Sequence, residues 1–316
     1  MSNKGLNHYF NELKKNWRQK IWWREVIKGV IIYKILPLFF RDNNGHYVLK
    51  ERWDNLIILD ACRFDVFKEE IKNWDIKGEL EYRISRGSWT VSFLLENFNE
   101  KFGPKLDEII YVTANPYVSM LLKGKFYRII PVWDFGWDES LKTVPPDHVY
   151  EATLEVVRKY QKKRIIIHFM QPHEPFINLG ETKATGFSML RNVVLSGKDS
   201  EVHDTSIWSL VEKGVMSREN AIKGYVENLK AVMPYVEKLC KILPGKTIIT
   251  SDHGEAFGER VHPLIPIRIY GHHPNIRIES LVKVPWFICE EEGRLDKVER
   301  ARLRELIKKK IRKLTM

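Results

Sequence analysis

Long uninterrupted apolar runs are missing from this chain of 316 residues. The nearest candidate, Val26 to Phe40, is fifteen residues long and is broken by Lys28, Lys34 and Pro37. It falls short of the ~20 residues that a membrane-crossing helix needs. Residues 1–25 lack the apolar stretch and small-residue cleavage site of a secretory signal, and carry Lys14, Lys15, Arg18, Lys20 and Arg24 among aromatics instead. Cysteine is scarce. Cys62, Cys240 and Cys289 cannot form a fully paired framework, and none has Cys-x-x-Cys spacing, which excludes a disulfide scaffold. No internal repeat or low-complexity tract occurs. These absences predict a cytoplasmic chain with neither an export signal nor a transmembrane helix.

The 44% hydrophobic content permits a full core, and 316 residues suffice for one large α/β domain. Lys and Arg outnumber Asp and Glu by 52 to 41, a formal net charge of +11 that favours anionic partners. The basic residues are spread along the chain and no nucleic-acid motif is present, so nucleic acid is not an expected partner. In WRQKIWWREVIKGVIIYKI, basic and aromatic residues interleave with apolar ones. That pattern suits a helix lying in an anionic membrane interface, or a helix packed on the domain. Residues 1–45 are therefore read as a basic, aromatic N-terminal helical segment and residues 46–316 as the main domain.

From Glu51 onward apolar strands alternate with helical patterns, the mark of a mainly parallel sheet covered by helices. Strands are expected at Asn55–Leu59, Glu108–Val112, Arg164–Phe169, Lys246–Thr250 and Val284–Cys289. Helices are expected at Phe64–Trp74, Thr90–Phe98, Asp147–Lys162, Arg218–Leu243 and Leu295–Leu314. The segment from Gly180 to Met216 carries scattered Gly, Ser, Thr and Asp without a strong period, and reads as an insertion or lid over the sheet.

Several strands deliver polar residues to their carboxyl ends, where open α/β sheets bind ligands. In NLIILDACRFD the apolar run ends at Asp60, with Arg63 and Asp65 beyond; Asp60 could equally cap the following helix. Cys62 between strand and helix reads as a core residue before a nucleophile. TIITSDHGEAFGE places Asp252 and His253 side by side, a pattern that also serves turns. In RIIIHFMQPHEPF the strand runs into His168 and then His173, the latter in a loop restricted by Pro172 and Pro175. In IYGHHPNIRIESLVKVPWFI, adjacent His272 and His273 point different ways, so one of them is expected to serve a site.

Together DACRFD, SRGSWT, PHEPF, SDHGEAFGE and the GH pair ahead of VPW resemble the alkaline phosphatase superfamily, in its sulfatase-like branch, over about Asn55 to Cys289. The resemblance implies a three-layer α/β/α sandwich with a mainly parallel sheet. It also implies a divalent metal held by Asp60, Asp252 and His253, with Thr90 as metal-bound nucleophile at a helix N-terminus and Ser88 as the fallback. The Cys-x-Pro-x-Arg motif that yields formylglycine is absent. The Asp of two-metal members is replaced by Phe169, so one metal is expected, with His173 and His272 on the substrate's oxygens. Manganese or zinc suits such ligands, with calcium or magnesium still open. The implied function is hydrolysis or transfer of a phosphate (or sulfate) ester. The alternative is a non-catalytic polyanion-binding protein on the same fold.

Overall fold

The computed structural model describes residues 18–40, 42–160, 162–179, 206–262 and 265–290, with Asn16, Arg191 and Leu195. The expected helix Leu295–Leu314 lies outside the described residues, as does most of Gly180–Met216.

The central sheet forms where the sequence is continuously apolar. Strands β1 (Asn55–Leu59), β3 (Ile109–Thr113), β5 (Arg164–Phe169) and β6 (Thr247–Thr250) are buried along almost their whole length, as strands covered on both faces must be. With β2 (Gly78–Ile84), β4 (Arg128–Pro131) and β9 (Lys283–Cys289) they make a seven-stranded sheet ordered β2-β9-β6-β1-β5-β3-β4. The five central and right-hand strands run parallel, while β9 is antiparallel to both of its neighbours. Strands β7 (Ala256–His262) and β8 (Ile265–Gly271) form a separate hairpin.

Alternate residues of β1 divide the core. Ile57 and Leu59 pack with Ile165, Ile167 and Ile249 beneath helices α2 (Phe64–Glu70), α5 (Pro146–Lys159) and α7 (Arg218–Ile242). Leu56 and Ile58 pack on the other face with Tyr111, Ile166 and Trp286, against Phe93 and Leu94 of α3 (Thr90–Asn97) and Val118 of α4 (Pro116–Leu121). The fold is thus the expected three-layer α/β/α sandwich with a mainly parallel sheet.

The strands missed in the sequence have a physical explanation. β2 alternates charged and apolar residues, GELEYRI, and is largely exposed at the sheet's edge, where charge discourages stray pairing. The expected helix Phe64–Trp74 ends at Glu70 and continues as a 3-10 turn over Ile71–Asn73. In the N-terminal segment, helix α1 (Lys20–Val30) leads into a short run that buries Ile32 and Leu36 against Ala256, Ile269, Ile276 and Leu281. No helix among the described residues is long and apolar enough to cross a membrane.

Candidate active site

Strand register brings the two acidic strand ends together. In β1 and β6, Ile58 pairs with Thr250, so Asp60 and Asp252, two residues further on, leave the sheet side by side. Both are fully buried, as is His253. Ligand-capable atoms of the three all lie within 4.8 Å of one another. His253 Nε2 is 3.7 Å from Asp60 Oδ1 and 3.4 Å from Asp252 Oδ2. Thr90 Oγ1 completes the group, donating to Asp252 Oδ2 at 2.8 Å and lying 3.3 Å from His253 Nε2.

Each side chain is oriented by a partner behind it. Asn115 Nδ2 donates to Asp60 Oδ2 at 2.7 Å, and His168 Nε2 lies 3.3 Å from the same oxygen. Tyr111 Oη in turn meets His168 Nδ1 at 3.0 Å. Asp252 Oδ1 accepts from the Ala61 and His253 amides at 3.1 and 3.0 Å. His253 Nδ1 faces the Gly254 carbonyl at 2.8 Å, which only accepts, so the ring proton sits on Nδ1 and the Nε2 lone pair turns to the carboxylates. Gly254 is required, since a Cβ there would overlap the Ser280 carbonyl. Ala61 takes the left-handed backbone region (φ 56°), a conformation costing on the order of 1 kcal/mol, and Tyr225 Oη donates to its carbonyl at 2.6 Å.

One buried oxygen is left over: Asp60 Oδ1 has no hydrogen-bond partner. It points toward His253 Nε2, in a group of two carboxylates, a hydroxyl and an imidazole lone pair. A divalent cation fits this donor set and would satisfy the oxygen left without a donor. Burial alone would raise the Asp60 pKa. The His168 hydrogen bond and the neighbouring imidazoles of His173, His168 and His253 outweigh it and hold the carboxyl below its ordinary range.

Other readings of these residues do not survive the geometry. Asp60 does not cap α2, whose N-cap is Arg63. Thr90 does not cap α3; the N-cap is Trp89, and the Thr90 hydroxyl goes to Asp252. Cys62 is fully buried, and burial pushes its thiol pKa well up, which removes it as a nucleophile. The Ser88 hydroxyl donates to the His273 carbonyl at 2.9 Å. Cys240 and Cys289 form no disulfide, and their sulfurs lie 3.2 Å apart.

Above this group lies a second one that the sequence only half disclosed. His173, Glu255 and His272 also have ligand-capable atoms within 4.8 Å of one another. The His173 loop is tied to α7 by Asn228 Nδ2, which donates to the Pro172 and His173 carbonyls at 3.1 and 2.9 Å. Its Nδ1 faces the Glu174 carbonyl at 2.6 Å, and burial lowers the ring's pKa against the pull of the Asp60 charge. His272 Nδ1 lies 3.0 Å from Glu255 Oε1. Burial would lower the His272 pKa, but the Glu255 charge and hydrogen bond raise it to about 9. His273 instead turns its ring edge to Tyr33, centroids 5.6 Å apart. Phe169 offers no ligand and belongs to the core. Glu255 brings a carboxylate to that side from another element; the sole signal was its place in SDHGE.

Thr90, His173 and His272 line an open cavity of about 400 Å³, walled by Trp89, Tyr117 and Trp208. Asp60, Asp252 and His253 lie beneath its floor, and Thr90 belongs to both.

No protein-family profile matches the chain, and no curated protein does. Among solved structures it is similar to the soluble domain of lipooligosaccharide phosphoethanolamine transferase A from Neisseria meningitidis, at 14% identity and a TM-score of 0.50, covering 76% of each chain. The integral membrane form of that transferase aligns at 15% identity and a TM-score of 0.49, over 80% of this chain and 50% of its own length. The C-terminal periplasmic domain of EcEptC from Escherichia coli, in complex with zinc, aligns at 12% identity and a TM-score of 0.47, over 79% and 76% of the two chains. The expectation of a cytoplasmic location finds no support among them. At these identities the likeness is one of fold, the expected alkaline phosphatase-like three-layer sandwich.

Proposed function

We propose that the chain is a metal-dependent hydrolase or transferase of phosphate esters, with Thr90 as the nucleophile, residues 46–316 as its catalytic domain and residues 1–45 as an appended segment. One observation carries this reading: the Thr90 hydroxyl stands at a cavity floor, 2.8 Å from a buried carboxylate and 3.3 Å from an imidazole lone pair. A structural threonine needs one hydrogen-bond acceptor and no opening to a cavity, and a polyanion-binding surface has no use for two buried carboxylates. The fold-mate from Neisseria meningitidis is named for transfer of phosphoethanolamine, itself a phosphate ester.

Asp60, Thr90, Asp252 and His253 would hold the cation, manganese or zinc by donor type. When bound, a divalent cation makes a hydroxyl easier to deprotonate and neutralises charge on transferring oxygens. Thr90 Oγ1 attacks phosphorus, forming the Oγ1–P bond as the bond to the leaving oxygen breaks. Asp252 Oδ2, which accepts the hydrogen bond from Thr90, orients its oxygen and takes up the hydroxyl proton as the Oγ1–P bond forms. Backbone amides at the start of α3 face the equatorial oxygens. His272, held cationic by Glu255, donates a proton to the leaving oxygen from Nε2, while His173 positions the ester. Water or an acceptor alcohol then takes the phosphoryl group from Thr90, and this choice alone separates hydrolase from transferase. Phosphate is preferred over sulfate because the formylglycine motif is missing.

A second reading, with two cations, is favoured by Glu255 Oε2, which is buried without a partner beside His173 and His272. Turnover of aryl phosphate, aryl phosphodiester and aryl sulfate in manganese and in zinc, by wild type, Thr90→Ala and Ser88→Ala, tests the assignment. Phosphorus substrates are expected to dominate, with Thr90→Ala inactive and Ser88→Ala within a few-fold of wild type. Faster sulfate turnover would remove the substrate class, and full activity in Thr90→Ala would remove the nucleophile.

A further inference from the structure

We propose that the segment from Trp23 to Phe39 docks the chain onto the surface of an anionic lipid bilayer, with the mouth of the active-site cavity beside the lipid. This stands independently of the chemistry proposed above. Among the described residues, seven of the fifteen exposed large apolar side chains lie within these seventeen positions. They are not scattered. Trp23, Ile27 and Val30 fall at i, i+4 and i+7 on α1, which aligns them along one helix face. Leu38 and Phe39 extend the surface beyond the helix, Ile27 being 54% exposed and Phe39 73%.

The segment is not a loose tail that exposes its apolar residues for want of a partner. Ile32 and Leu36 are buried against Ala256, Ile269 and Leu281, and Lys28 pairs with Glu212 of helix α6 (Ile207–Glu212). One face is therefore spent on the domain, and a second apolar face is held outward by the first. Contiguous apolar exposure of this kind marks an interaction site.

Charge selects the occupant. Residues 1–40 carry eight Lys or Arg against two Asp or Glu, a local excess of six that supplies more than half of the chain's +11. Basic residues flanking an apolar, aromatic face suit a surface that is anionic outside and apolar within. A second copy of the chain would place the same positive excess against itself. Tyr33 links this face to the site: its side chain is more than half exposed, its ring meets His273, and it lines the cavity that holds Thr90. A bilayer covering Ile27, Val30 and Phe39 would therefore lie beside the entrance to the cavity.

Flotation of the full chain with vesicles of phosphatidylcholine containing about a third phosphatidylglycerol tests the proposal. Wild type is expected to float at low salt, to be released as salt rises, and to stay below with phosphatidylcholine alone. The double variant Ile27→Glu, Phe39→Glu is expected to lose at least about tenfold in bound fraction. Phe135→Glu, at an exposed apolar position ending the short helix Val132–Phe135, is expected to float like wild type. Matching thermal melts establish that the variants are folded. Wild type that never floats overturns the proposal, as does a double variant that floats equally well. A dimer seen by light scattering, lost in the double variant and without flotation, assigns the face to a second copy instead.

Discussion

The two histidine–carboxylate groups at the sheet's carboxyl edge differ in how they are built. Asp60, Asp252 and His253 follow directly on two adjacent parallel strands, and the register of β1 with β6 fixes their spacing. His173, Glu255 and His272 come from a proline-bounded loop, the start of β7 and the end of the hairpin. The first group is rigid because the sheet is; the second depends on Asn228 and on the hairpin's docking. Chemistry follows this division. Two buried carboxylates, one with an oxygen that no donor meets, suit a cation, whereas the group above lines the cavity where a substrate would enter.

The largest break in that comparison comes from below. Asp252→Asn removes one of two carboxylates from a group in which Asp60 Oδ1 already lacks a partner. Bound metal, measured by elemental mass spectrometry, is expected to fall from about one per chain to near none, and ester turnover by on the order of a thousandfold or more, beyond the usual cost of losing an outer partner. Equal metal content in wild type and in an Asp60→Asn, Asp252→Asn double variant would sink the lower site.

A change above should act differently. Glu255→Gln keeps the side chain's size and a hydrogen bond to His272 Nδ1 but removes the charge that holds this imidazole protonated. A loss of about 10- to 100-fold in turnover is expected, with the lower metal retained. If wild type binds two metals, this variant should bind one. Unchanged turnover together with unchanged metal content would make the upper group a bystander.

The same contrast decides how much was legible in the sequence. An apolar run such as NLIIL followed by Asp60, or TIIT followed by Ser251 and Asp252, announces both a buried strand and the residue it delivers, because strands buried on both faces read as near-continuous apolar runs. The motifs then placed Asp60, Thr90, Asp252, His253, His173 and His272, and the fold brings all six to one edge of the sheet. Glu255 escaped because a glutamate at the start of a hairpin has no local signature; its role depends on where β8 carries His272. Asn115 and Asn228 escaped for the same reason, since each acts through a partner far away in sequence, and His168 stood in view at its strand's end without its place behind Asp60 being readable. β2 was missed because an edge strand needs no apolar run, only β9 beside it.

The smallest expected effect separates the adjacent histidines. His272 is held protonated by Glu255, while burial, and then the charge of His272, depress the His273 pKa to about 4 from its ordinary 6.5. In the unfolded chain His273 takes up its proton near pH 6.5; in the folded chain it does so only near pH 4. The unfolded state therefore binds more protons across that window, and stability, full above pH 6.5, is lost as the pH falls. The ring is only half-buried and its neighbour is screened by solvent, so the loss should reach about 1–2 kcal/mol by pH 4. His273→Phe keeps a ring against Tyr33 and removes the titrating group. Denaturant titrations of wild type and variant at intervals between pH 4 and 7 should show a shallower decline in the variant. Parallel declines would mean that His273 titrates alike in both states, and the two histidines would then differ in position only.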